Sequence, residues 1–176
     1  MKPLLLRGHE KPINVVKFNL DGDLFFTGSS DRRVNLWAAY TGERLGSYYC
    51  SSAVKSLDVT DDSKYVVSAS MTGTIEFWEV ETGKLVCALK KNAKSKYIEF
   101  SLGDQYLVVV FEMYATMENE VKIYEVKKVF EEFTKKNEID DCPEITFKSF
   151  LVPGKKLTQV IFFSIYFQNL TNIITL

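Results

Sequence analysis

Histidine is almost missing from this sequence: His9 is the one example among 176 residues. Zinc centres lean on imidazole or on closely spaced thiolates, and the cysteines do not supply the second. Cys50, Cys87 and Cys142 are odd in number, far apart, and form no C-x-x-C pair. They read as reduced structural thiols, with no metal expected. Only four prolines break the chain. Long apolar runs are also missing. The longest, Val160 to Phe167, covers eight residues including Ser164, where a bilayer span needs roughly 20. Met1 to Arg7 holds an apolar run of three, short of the roughly 7–15 of a signal-peptide core. The expectation is a cytoplasmic chain with no membrane partner. An excess of charge is missing too: Lys plus Arg is 22, Asp plus Glu is 23, and the formal net charge is -1. That disfavours DNA or RNA as a direct partner, since such binding draws on phosphate neutralisation. Neither a G-x-x-x-x-G-K loop nor a G-x-G-x-x-G turn is present, so no cofactor is expected.

Aromatic residues are plentiful: 13 Phe, nine Tyr and two Trp make 14% of the chain. These favour strands. They also recur. Ser30 to Trp37 lies 41 positions before Met71 to Trp78, and at the same offset Asp21 falls on Asp62, Val16 and Phe18 on Leu57 and Val59, and Thr41-Gly42 on Thr82-Gly83. A third copy starts in register at Phe100 and Tyr106-Leu107-Val108, then slips, so that Tyr124 matches Trp78 at an offset of 46. A fourth copy begins near Leu157, where Val160-Ile161-Phe162 lies 62 after Ile98-Glu99-Phe100.

Each copy holds short apolar runs separated by turn chemistry such as Asp21-Gly22 and Thr41-Gly42. About four strands per copy, at a period near 40, predict an all-β propeller of antiparallel blades that stack face to face. The propeller is incomplete: blade 1 at 8–49, blade 2 at 50–90, blade 3 at 91–152 with insertions at 112–118 and 127–142, and a partial blade 4 at 153–176. The expected blade-core residues are Phe18, Trp78, Phe100 and Tyr124. Between Glu125 and Lys136, Val126, Val129, Phe130 and Phe133 recur at three and four. That spacing suits a short amphipathic helix, and a solvated charged loop remains the alternative.

Gly8-His9, Asp31 in a tight turn and Leu36-Trp37 closing a strand resemble the WD-repeat family. Ala38 and Glu79 stand where that family has its second motif residue, Asp. Met1 to Glu10, Pro12-Ile13-Asn14, Val16 to Asn19, Gly22-Asp23-Leu24 and Tyr40 to Gly46 resemble more narrowly the subunit i family of eukaryotic translation initiation factor three. The resemblance implies a non-catalytic scaffold that binds other subunits of that complex. It would support mRNA recruitment and scanning on the small ribosomal subunit, touching the ribosome indirectly. A WD-repeat adaptor in another assembly, such as receptor signalling, is the alternative. The family ring has seven blades, so a chain ending in the fourth leaves an open face, and an oligomeric or poorly soluble state is expected.

His9, Ser29 and Asp31 also match the residue types of a nucleophilic triad. The resemblance implies instead a structural hydrogen-bonded chain through His9, Thr27 or Ser29, Asp31 and Trp37. At an offset of 41, Cys50 replaces His9 and Thr72 replaces Asp31, while Trp78 keeps the tryptophan. A blade of this chain can thus be built without the network, and no catalytic residue is expected. Lys90, Lys91, Lys94 and Lys96 beside Tyr97 have the composition of an RNA-contacting surface. A solvated loop is the plainer reading. Partner-binding residues are not legible in the sequence.

Overall fold

The computed structural model describes residues 5–116, 118–135, 139–140 and 146–152. The partial fourth blade expected at 153–176, Cys142, and part of the second insertion lie outside the described residues. Blade 1 is formed by β1 (Ile13–Phe18), β2 (Leu24–Ser29), β3 (Arg33–Ala38) and β4 (Arg44–Tyr49). Blade 2 follows with β5 (Val54–Val59), β6 (Tyr65–Ser70), β7 (Thr74–Glu79) and β8 (Leu85–Lys90). Blade 3 contains β9 (Lys94–Phe100), β10 (Tyr106–Glu112), β11 (Asn119–Glu125) and β13 (Thr146–Val152). Between β11 and β13 lie the helix α1 (Val126–Lys135) and the two-residue β12 (Ile139–Asp140). Neighbouring strands within each blade pair antiparallel in sequence order. This is an incomplete propeller of antiparallel blades.

The period of 41 has a backbone counterpart. Gly22, Ser63 and Asp104 occupy the same turn of successive copies and all have positive φ, at 72°, 58° and 55°. The turn after the second strand likewise places Arg32 at 69° and Gly73 at 82°. Such φ values normally select Gly, with Asn, Asp and Ser tolerated in turns. The sequence therefore keeps the turn geometry even where it does not keep the glycine.

Alternation along the strands gives each blade two apolar faces. One core joins blades 1 and 2 through Phe26, Leu36, Tyr48, Leu57, Val66 and Trp78. A second joins blades 2 and 3 through Phe77, Leu89, Ile98, Phe100, Phe111 and Tyr124. The helix enlarges the second core. Its Val126 and Val129 are buried there, and its Phe130 ring meets Tyr65 at 5.2 Å and Phe77 at 5.5 Å. Of the two readings of this stretch, the helix is the one formed. A blade-3 insertion thus clamps blade 2. The strand that follows pairs in parallel with the outer edge of blade 2, Ile139 opposite Leu89.

Phe18 corrects a sequence-based expectation. It was expected in the blade core but is 58% exposed. Its equivalent two copies on, Phe100, is buried because blade 2 covers that face and Phe77 meets its ring at 6.4 Å. Among the described residues no sheet precedes blade 1, so the same position is bare. Val16 on the same strand is 51% exposed.

Two outcomes are expected. Gly73→Ala places a Cβ 2.2 Å from the Lys91 carbonyl oxygen, whereas at Gly22, with a similar φ, nothing lies within 4 Å. In urea unfolding, Gly22→Ala should cost only about 1–2 kcal/mol for the left-handed conformation, and Gly73→Ala clearly more. The bare face of blade 1 predicts self-association, so size-exclusion chromatography should show species larger than the 20.2 kDa chain. A stable monomer at that mass would contradict this.

Candidate functional site

Blade 1 carries a connected set of polar side chains. Gly8-His9 leads into β1, Thr27 sits on β2, Asp31 lies in the turn between β2 and β3, and Trp37 is on β3. The Trp37 Nε1–H donates to Thr27 Oγ1 at 2.9 Å, and Thr27 Oγ1 lies 2.7 Å from His9 Nε2. His9 Nδ1 lies 2.9 Å from Asp31 Oδ2. The carboxylate there can only accept, so Nδ1 carries the proton and Nε2 accepts from the Thr27 hydroxyl. Asp31 is further held by the Glu10 amide at Oδ2 and the Arg33 amide at Oδ1, both at 3.0 Å. Asn35 adds a bond from Nδ2 to the Gly8 carbonyl at 2.9 Å. Gly8 has to be small: a Cβ there would lie 2.5 Å from the Trp37 ring.

The sequence left open whether Thr27 or Ser29 completes the chain, and Thr27 does. Ser29 Oγ instead donates to the Lys11 carbonyl and accepts the Asp31 amide, at 3.0 and 3.1 Å. It does not touch His9, so the Ser–His pair a hydrolase needs is not formed. Thr27 does touch His9, but it is buried and its oxygen also accepts the indole N–H. Every donor in the set is engaged by another member, which suits a structural network more than a reactive one.

Burial works to raise the Asp31 carboxyl, yet the Glu10 amide, the His9 ring and the Arg33 amide together hold it below the usual carboxylate range.

In blade 2 the same positions hold Cys50, Ser68, Thr72 and Trp78. Cys50 Sγ and Ser68 Oγ are 3.4 Å apart. The buried Trp78 Nε1–H finds no partner. The two tryptophans take the same place in their blades: Trp37 stands opposite Phe25 and against Gly8, and Trp78 stands opposite Val66 with its ring 6.0 Å from that of Tyr48 on β4. In blade 3, Tyr124 takes the tryptophan position, and Val109 is the counterpart of Thr27 at twice the period; both are buried. The network thus thins from polar to apolar along the chain. Burial pushes the Cys50 and Cys87 thiols up to about 12.

The lysine cluster is largely neutralised by its neighbours. Lys91 Nζ lies 2.7 Å from Glu120, Lys96 Nζ 3.5 Å from Glu112, and Lys94 stands over the Tyr114 ring. Among the described residues no group of three His, Cys, Asp or Glu side chains is placed to hold a metal ion. No helix among them is long and apolar enough to cross a membrane.

Three outcomes follow for this site. His9→Ala should cost about 1–3 kcal/mol by removing the acceptor of the Thr27 hydroxyl and the ring donor to Asp31, with chemical unfolding as the measure. Asp31 has a folded pKa below its unfolded value of about 3.9, so its stabilisation is full above that pH and is lost as pH falls through the folded value. Acid titrations of unfolding should show this slope, and Asp31→Asn should flatten it. In a Cys142→Ser background, native Cys50 and Cys87 should resist a thiol reagent at pH 8 until the chain is unfolded.

The model of the WD domain, G-beta repeat, matches residues 2–38 and 42–79. Eukaryotic translation initiation factor 3 subunit I of Dictyostelium discoideum is 35% identical over 128 residues, which is 73% of this chain and 39% of that protein. The Homo sapiens subunit I is 39% identical over 109 residues, 61% of this chain and 34% of that protein. The Schizosaccharomyces pombe subunit I is 35% identical over 113 residues, 64% of this chain and 34% of that protein. The chain therefore spans well under half the length of these relatives. Among solved structures, the RRP9 WD40 repeats superpose with a TM-score of 0.63 at 21% identity, over 70% of this chain and 38% of that one. U3-55K gives 0.63 at 20% identity, over 70% and 39%. Residues 2–38 and 42–79 of this chain thus match WD repeats, and the chain is similar in sequence to subunit I of eukaryotic translation initiation factor 3.

Proposed function

We propose that the chain is a non-catalytic scaffold of the cytoplasmic translation initiation factor 3 assembly. It would bind other subunits of that assembly and support mRNA recruitment and scanning on the small ribosomal subunit, which it would reach indirectly. One observation carries the reading: identity of 35–39% to subunit I proteins sustained over 109–128 residues. The internally satisfied network of His9, Thr27, Asp31 and Trp37 supports it, since these side chains are occupied in holding a blade. Binding would come from blade faces and loops, with no bond made or broken.

Affinity purification of the tagged chain from eukaryotic cells tests this. Other initiation factor 3 subunits should be enriched and should stay bound after RNase treatment, while ribosomal small-subunit proteins are released. Enrichment of a different assembly, such as a receptor-signalling complex, with no initiation factor subunit present would overturn the proposal.

A further inference from the structure

The inner strands β1, β5 and β9 set repeat-equivalent residues side by side. Lys17, Asp58 and Glu99, spaced by 41, form one row across the three blades. Lys17 Nζ lies 3.4 Å from Asp58 Oδ1 and 3.8 Å from Glu99 Oε1. Three positions further on in each copy, where strand gives way to turn, Leu20, Asp61 and Leu102 form a second row. Both rows line one open cleft of about 360 Å³.

Its chemistry is uneven. Leu20 and Leu102 are each 70% exposed, and Phe18 beside them is 58% exposed. Single exposed leucines are ordinary. Here two recur at equivalent repeat positions, on either side of a carboxylate, around one concavity. Three carboxylates line the cleft with one ammonium, and each also accepts a hydrogen bond from the chain: Asp58 from the Phe100 amide at 2.8 Å, Asp61 from the Gly103 amide at 2.9 Å and Glu99 from the Tyr97 hydroxyl at 2.9 Å, which leaves the net charge of the cleft negative. Lys17 is shared between Asp58 and Glu99 at distances too long for close hydrogen bonds. An acidic floor repels a phosphate backbone, which argues against nucleic acid.

We propose that this cleft docks an extended protein segment in which one Arg or Lys is flanked by large apolar residues, its cation meeting Asp61 and Glu99 and its apolar side chains covering Leu20 and Leu102. Charge complementarity selects the cation, and Arg suits better than Lys because its planar fork matches carboxylates. The apolar rim selects the flanking residues and excludes water from the charge pair, which strengthens it. The surface does not depend on which assembly the chain joins, so its failure and the failure of the co-purification above are separate outcomes.

The test titrates the full chain with a blocked nine-residue peptide centred on Leu-Arg-Leu, and with the same peptide centred on Leu-Glu-Leu. The Arg peptide should bind saturably and the Glu peptide about tenfold more weakly or not at all. Added salt should weaken the Arg peptide, because the contact is partly exposed. Asp61→Asn and Glu99→Gln should each weaken it several-fold. So should Leu102→Ser, whose exposed position leaves the fold intact, with an unchanged thermal melt as the control. No saturable binding, equal binding of the two peptides, or unchanged binding to Leu102→Ser and Glu99→Gln would overturn the proposal. So would single-stranded RNA displacing the Arg peptide from the cleft.

Discussion

A single four-stranded blade has two apolar faces and cannot bury either by itself. Everything else in this structure follows from that constraint. The chain answers it by repetition: blade 2 turns one face to blade 1 and the other to blade 3. Phe26 and Leu36 of blade 1 meet Val66 and Trp78 of blade 2, and Phe77 of blade 2 meets Phe100 of blade 3. Buried apolar area is the dominant stabilising term, and here the two larger buried clusters lie between blades. The polar network of blade 1 is secondary to that burial. Blade 2 stands with an unpartnered Trp78 indole, and blade 3 has Val109 where Thr27 would be.

The same constraint explains what is unusual about this molecule. A repeat that buries faces only against neighbours has a bare face wherever a neighbour is lacking, and Val16 and Phe18 show it. Trp37 lies on that same side of blade 1 yet is only 4% exposed. Gly8 and His9 cover it, with the glycine allowing backbone to approach the indole and the histidine binding it through Thr27. The helix between β11 and β13 does comparable work further along. It lays Val129 and Phe130 against blade 2, so blades 2 and 3 share more buried surface than strand packing alone would give them.

The division between scaffold and surface is physical as well. Side chains that alternate into the interblade cores are spent on packing. What remains for partners is the ends of the strands, the turns and the inner row. Lys17, Asp58 and Glu99 face one another there because a 41-residue period puts the same strand position of each copy at the same depth. Repetition of structure with variation in charge is how such a fold acquires a specific surface while its core stays the same.

Much of the fold could be read from the sequence because the signals were local. Turn pairs such as Asp21-Gly22, apolar alternation and a constant offset need no knowledge of distant contacts, and they carry the strand order within a blade. The tetrad members His9, Asp31 and Trp37 were legible by motif. The choice of Thr27 over Ser29 was not, because both point their hydroxyls from the same strand and only the packed position of His9 decides between them. The exposure of Phe18 was hidden for a similar reason: identical repeat positions have identical sequence signals, and burial depends on whether a neighbouring blade is there. The helix of blade 3 was half legible, its spacing visible and its docking on Tyr65 and Phe77 a matter of contacts between chain segments more than 50 residues apart. Sequence alone determined the repeating unit and its turns; tertiary packing decided which face of each unit is covered and which polar groups meet.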